Sequence, residues 1–242
     1  MVINNTNINY VRYGKKSKDT VVLLHGWGQN IQMMQPIGDA IQNNYDVIIV
    51  DLPGHGKSEE PKYAWNVDDY VECIKKLLDN LEVKNPTLIG HSFGGKISLL
   101  YASKYKVKKL ILFGSPYKKE ITNISLKTKI LKAAKKIPVL NKLEDFAKKH
   151  IGSTDYRNAS PLMRNILVNT VNFDITEEVK KITCPTLIVW GDLDDQVPVE
   201  EAYELENLIA DAGVVVYENC THYAYLERLN QTINVVNSFL ES

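Results

Sequence analysis

Ser92 stands in Gly90-His91-Ser92-Phe93-Gly94-Gly95, a Gly-x-Ser-x-Gly spacing that lifts a serine onto a sharp turn between a strand and a helix. The backbone of such a serine is strained. Glycines at 90 and 94 make the turn possible, because a Cβ at either place would collide with the neighbouring element. A serine hydroxyl is a weak nucleophile near neutral pH. It needs a base to take its proton and an acid to orient that base, in the chain order serine, carboxylate, histidine. Two histidines follow Ser92, namely His150 and His222. His150 lies among Lys148 and Lys149 in a helical pattern, where a solvated ring is expected. His222 follows the last strand-like run, and loops beyond strand ends are where open α/β sheets place function. His222 is therefore the candidate base. The carboxylate should follow the strand ending at Trp190, where Asp192, Asp194 and Asp195 compete, and turn or cap chemistry would account for two of the three. Acyl transfer also needs N–H donors for a developing oxyanion. The backbone N–H of Phe93, next to the nucleophile, supplies one. The glycine-bearing loop His25-Gly26-Trp27-Gly28 supplies the other, assigned to Trp27, with His25 bracing the loop.

The elements that must hold these residues alternate between short apolar runs and helical patterns, which predicts a mostly parallel sheet with helices on both faces. Strands are expected at Thr20 to Leu24, Tyr45 to Val50, Pro86 to Ile89, Lys109 to Phe113, Pro185 to Trp190 and Val214 to Tyr217. Val2 to Tyr13 reads as an N-terminal hairpin. Helices are expected over Ile31 to Ile41, over the stripe Val67, Val71, Ile74, Leu77, Leu78 and Leu81, and over Lys96 to Ala102. A last helix should carry Leu226, Leu229, Ile233, Val236 and Phe239. The alternation stops between Tyr117 and Thr176. There a stripe of Leu126, Ile130, Ala134 and Ile137 ends at Pro138, and Asn141 to Glu144 resembles a capping box whose helix Gly152 would close. The expected organisation is a core of residues 1–116 and 177–242 with a helical cap inserted at 117–176.

The composition bounds the function classes. The chain has 242 residues, 44% of them hydrophobic and 24% charged, which suits one globular α/β domain. Its net charge is zero, so nothing draws the whole molecule to nucleic acid. The segment Tyr117 to Asn165 is the exception, with twelve Lys and Arg against four Asp and Glu. That +8 could steer an acidic partner such as a carrier protein, or an anionic membrane surface, or could simply solubilise amphipathic helices. Met1 to Asn5 has no leader pattern, and no apolar run reaches membrane-span length, so a cytoplasmic chain without a transmembrane segment is expected. Cys73, Cys184 and Cys220 lack metal or redox spacing and are expected to be reduced and structural. Asp51 to Ser58 is glycine-rich but lacks the spacing of a phosphate cradle, and no His, Cys or Asp cluster has metal-ligand spacing. Neither a cofactor nor a metal is expected.

Taken together, the His25–Gly28 loop, Asp51–Ser58, Gly90–Gly95, Gly191–Pro198 and Thr221-His222 resemble the α/β-hydrolase superfamily over nearly the whole chain. In the family's Gly-x-x-Asp-x-x-Val-Pro motif the acid lies three residues after the glycine, which the resemblance places at Asp194. Serine at 92 separates the chain from the dehalogenase and epoxide-hydrolase branches. The loop, the small size and the cap are similar to small carboxylesterases and to pimeloyl-acyl-carrier-protein methyl ester esterases. They are less similar to the carbon–carbon bond hydrolases of aromatic degradation. The resemblance implies an ester-cleaving serine hydrolase that works through an acyl-enzyme on a small or carrier-bound ester. The alternatives are a lyase or C–C hydrolase with the same triad, and a binding module that kept the pocket without the chemistry.

Overall fold

The structure, a computed structural model, describes residues 1–16, 19–119 and 159–242. Seven strands form one sheet, in the spatial order β3 (Tyr10–Gly14), β5 (Asp46–Val50), β4 (Thr20–Leu24), β6 (Thr87–His91), β7 (Lys109–Phe113), β8 (Thr186–Gly191) and β9 (Ala212–Tyr217). Only the edge strand β3 runs antiparallel to its neighbour; every other pair is parallel. The all-apolar runs make sense in such a sheet, because successive side chains point to opposite faces and both faces are covered. Val22 and Leu24 of β4 face one core with Val50, Leu88 and Leu112, beneath α2 (Val67–Asn80) and α3 (Phe93–Lys104). Val21 and Leu23 face the other with Ile49, Ile89 and Phe113, beneath α1 (Ile31–Ile41) and the C-terminal helix. Asn66 caps α2 in a reciprocal box with Asp69, which satisfies two otherwise free backbone donors.

Two expectations need correction. The N-terminal hairpin is shorter than Val2 to Tyr13: β1 (Val2–Ile3) pairs with β2 (Thr6–Asn7) through Asn4 and Asn5, at φ 51° and 59°. Two consecutive left-handed residues make a two-residue hairpin turn, which ends the pairing early. β3 then leaves to take the open edge of β5. The C-terminal helix is in fact two, α7 (Ala224–Glu227) and α8 (Leu229–Glu241), broken at Arg228 with φ −117° and ψ 44°.

The expected cap helices at 126–137 and 141–152 lie outside the described residues. On their C-terminal side come α4 (Pro161–Val171), capped by the Ser160 hydroxyl, and α5 (Thr176–Val179). The chain segments on either side are tied together. Ile175 N–H donates to the Tyr117 carbonyl at 3.0 Å, and Lys119 N–H to Asp174 at 3.1 Å. The buried ammonium of Lys96, on α3, donates to the carbonyls of both Lys118 and Thr170. The last core helix before the C-terminal pair is α6 (Glu200–Leu208).

Candidate active site

The site residues gather at the carboxyl ends of the parallel strands. β6 ends at His91 and α3 begins at Phe93, leaving Ser92 alone between them at φ 51° and ψ −116°. A non-glycine residue there is strained, and the surroundings impose it. A Cβ on Gly90 would come 2.6 Å from the Gly94 oxygen and the Gly95 Cα, so strand and helix meet only because this residue has none. A Cβ on Gly94 would likewise come 2.3 Å from the Leu24 carbonyl oxygen and 2.6 Å from that of His25. The Ser92 N–H donates to the Phe113 carbonyl at 2.9 Å, which fixes the turn to the end of β7.

β8 runs into the acidic turn, and burial separates the three aspartates. Asp194 is buried, while Asp192 and Asp195 are exposed. Asp194 Oδ1 accepts the N–H groups of Gln196 and Val197, each at 2.9 Å. Its Oδ2 lies 2.8 Å from His222 Nδ1. The Asp192 carboxylate instead accepts the Cys220 N–H, which ties the acidic turn to the histidine loop. Gly191 lets those loops touch, because a Cβ there would run into the Cys220 and Thr221 carbonyls. The His222 loop is closed from the other side by Glu227, which accepts the Thr221 N–H.

Gly114 shows how the pair and the serine share one place. It follows β7 directly, and a Cβ there would sit 3.1 Å from His222 Nδ1 and 3.2 Å from Asp194 Oδ2. Its neighbour Phe113 holds the Ser92 amide. The rings of His91 and His222 lie 4.9 Å apart.

Residues Gly26 to Gln29 form a tight turn in which Gln29 N–H donates to the Gly26 carbonyl and Gly28 takes φ 70°. Trp27 is its second residue, and the indole packs edge-on against Phe93 at 5.4 Å. Among the described residues, the backbone N–H groups of Trp27 and Phe93 have no protein acceptor, leaving both donors free for a ligand. His25 accepts the Leu52 N–H at Nε2 and donates from Nδ1 to the Gly26 carbonyl. Burial, with the nearby His55, pushes its pKa down to about 4, so it is a neutral brace between two loops. Asp51 is structural too, accepting the N–H groups of Ile31 and Lys57 and the amide of Asn9. Burial pushes the Cys73 thiol up to about 12, which makes it unreactive. No group of three or more possible metal ligands occurs among the described residues. His150 lies outside them.

Two residues not singled out by their spacing belong to this region. Gln29 joins the Trp27 turn to the His222 loop by accepting from Gly26 N–H and donating to the Tyr223 hydroxyl, and the His91 ring lies between Gln29 Oε1 and the His222 carbonyl. Their partners are up to 194 positions away in the chain, so no local pattern marks them.

A family model described as alpha/beta hydrolase fold matches residues 19–138, from β4 past the serine turn. The esterase EaEST from Exiguobacterium antarcticum superposes with a TM-score of 0.77 at 25% identity, covering 100% of this chain and 98% of that one. The chain has the α/β-hydrolase fold. It is also similar to Lipase 3 of a Moraxella species, at 26% identity over 95% of this chain and 80% of the lipase. It shares 25% identity with the pimeloyl-[acyl-carrier protein] methyl ester esterase of Aliivibrio fischeri, over 91% of this chain and 93% of that one. Among the described residues, no helix is long and apolar enough to cross a membrane.

Proposed function

We propose that this protein is a hydrolase that cleaves carboxylic esters through Ser92, His222 and Asp194. The carrying observation is the buried Asp194–His222 contact at 2.8 Å beside the strained Ser92 turn. With Asp194 accepting from Nδ1–H, the lone pair of His222 is on Nε2, the atom a base must offer to a serine. Ser92 Oγ attacks the acyl carbon as His222 takes its proton. The tetrahedral oxyanion accepts the N–H groups of Trp27 and Phe93. The C–O bond then breaks, and His222 returns the proton to the departing alcohol. Water adds to the acyl-enzyme by the same route, releasing the acid and restoring Ser92. Asp194 stays ionised throughout and stabilises the imidazolium. The proposal includes the 117–176 insertion as a cap over this end of the sheet, and a reducing, cytoplasmic setting in which Cys73, Cys184 and Cys220 stay free.

The test pairs turnover of short p-nitrophenyl esters with fluorophosphonate labelling. Ser92→Ala should lower kcat by roughly 10⁴ to 10⁶ and abolish the label. A variant keeping a tenth of wild-type kcat would refute the mechanism. Cleavage of a vinylogous diketone with negligible esterase activity would favour the C–C hydrolase, and no activity or label in the wild type the binding module. A carrier-bound ester is the second reading, supported by the +8 segment and by the relative that acts on an acyl-carrier-protein ester.

A further inference from the structure

We infer that Gln29 is a positioning residue for the oxyanion site and that its amide, through Tyr223, links that site to the loop carrying His222; the inference rests on the serine-hydrolase reading above. Three contacts place it there. Gln29 Oε1 accepts the Gly26 N–H at 3.0 Å, folding the side chain back over the turn that its own N–H closes onto the Gly26 carbonyl. The same oxygen lies 3.2 Å from His91 Nδ1, and Nε2 donates to the Tyr223 hydroxyl at 3.2 Å. His91 Nε2 in turn lies 3.1 Å from the His222 carbonyl. The turn, the residue before the nucleophile and the base's own loop are thus joined through one amide.

Each partner constrains the others. The Gly26 N–H can only donate, so it fixes which end of the Gln29 amide faces the turn and His91. Gly26 itself must lack a side chain, since a Cβ there would stand 3.0 Å from His91 Nδ1 and 3.2 Å from the Gln29 amide carbon. His91 is fully buried, and burial with its neighbour His222 lowers its pKa to about 3, so the ring is neutral. A neutral ring has one N–H for the two oxygens it faces, so it holds either the Gln29 amide or the His222 carbonyl at any moment, and the standing tie to the base's loop is Gln29 Nε2 to the Tyr223 hydroxyl. Trp27 lies inside the ring of contacts closed by Gly26 and Gln29, so the direction of its N–H depends on that ring. A ground-state ester carbonyl makes little demand on this direction. An oxyanion does, because charge-assisted hydrogen bonds are shorter and stronger.

Gln29→Met keeps the length and removes both polar ends; Gln29→Asn keeps the chemistry and shortens the reach. Both should lower kcat on a p-nitrophenyl ester by ~10- to 100-fold, less than outright loss of an oxyanion donor, with KM within about twofold. Affinity for an arylboronic acid, which forms a tetrahedral adduct on Ser92, should fall in parallel with kcat. Either variant suffices if the other fails to fold, and a merely structural role would not weaken the boronate selectively. Wild-type kcat in a folded variant, or a fall in kcat with unchanged boronate affinity, overturns the inference. Ser92→Ala run alongside separates the two failures: a tenth or more of wild-type turnover there sinks the triad, whereas a crippled Ser92→Ala beside a normal Gln29 variant sinks only the role of Gln29.

Discussion

Asp194→Asn should cripple the enzyme while leaving its fold almost untouched, and the hydrogen bonds say why. Asp194 Oδ1 accepts two backbone N–H groups, from Gln196 and Val197. An asparagine must answer both with its carbonyl oxygen, since its NH₂ cannot accept. That orientation turns the NH₂ toward His222 Nδ1, where Asp194 Oδ2 now sits at 2.8 Å. A donor there forces His222 into the tautomer with its proton on Nε2, so the atom that should take the serine proton already carries one. The stabilised imidazolium is lost as well. The expected fall in kcat is roughly 10⁴-fold, the scale of such a tautomer inversion, which corresponds to about 5.5 kcal/mol in the barrier. The variant keeps its backbone bonds and volume, so its thermal midpoint should move little. Asp192→Asn still offers an oxygen to the Cys220 N–H, and Asp195 is exposed, so both should stay within a few-fold of wild type. Steady-state kcat on a short p-nitrophenyl ester, with ¹⁵N spectra of the His222 ring, reads both consequences. An Asp194→Asn variant within tenfold of wild type, or a crippled Asp195→Asn, would refute the assignment.

Ser92→Gly should be more stable than Ser92→Ala, by about 1 kcal/mol in urea unfolding, since only glycine relaxes at φ 51° and that relief outweighs its extra unfolded-state entropy. Equal stabilities would mean the turn stores no strain. Stability should also fall as pH drops from 6.5 to 5: His25 and His91 have folded pKa values of about 4 and 3 against 6.5 unfolded, so the unfolded chain binds more protons across that window. The loss is about 2 kcal/mol for each ring by pH 5. A flat urea midpoint between pH 7 and 5 would show that neither ring is held neutral. Replacing Lys132, Lys135 and Lys136, which lie outside the described residues, by Glu should lower kcat/KM for an acyl-carrier-protein ester and flatten its salt dependence, sparing a small neutral ester. No change on either ester would leave those lysines a solubilising role only.

Local chemistry made much of this protein legible before its fold was known. The strand runs from Thr20, Lys109 and Pro185 are short, apolar and bounded by turn residues, and each forms a strand within a residue of its expected start. The serine turn is local at Gly90, whose steric demand comes from Gly94 and Gly95 in the same strand–helix unit, whereas the demand at Gly94 comes from Leu24 and His25 at the end of β4. Elsewhere the outcome turned on partners distant in sequence. Nothing in Val2 to Tyr13 says that β3 will abandon the hairpin for the edge of β5, since the free edge belongs to another element. Asp192, Asp194 and Asp195 have the same chemistry in one short turn. The family motif singles out Asp194, and burial against the His222 loop separates it physically from the other two. Gln29 is the extreme case, an ordinary polar loop residue until Gly26, His91 and Tyr223 converge on its amide. Sequence determines such features when the interacting groups are neighbours along the chain. Tertiary structure decides them when one side chain must satisfy donors and acceptors that only the sheet order brings together.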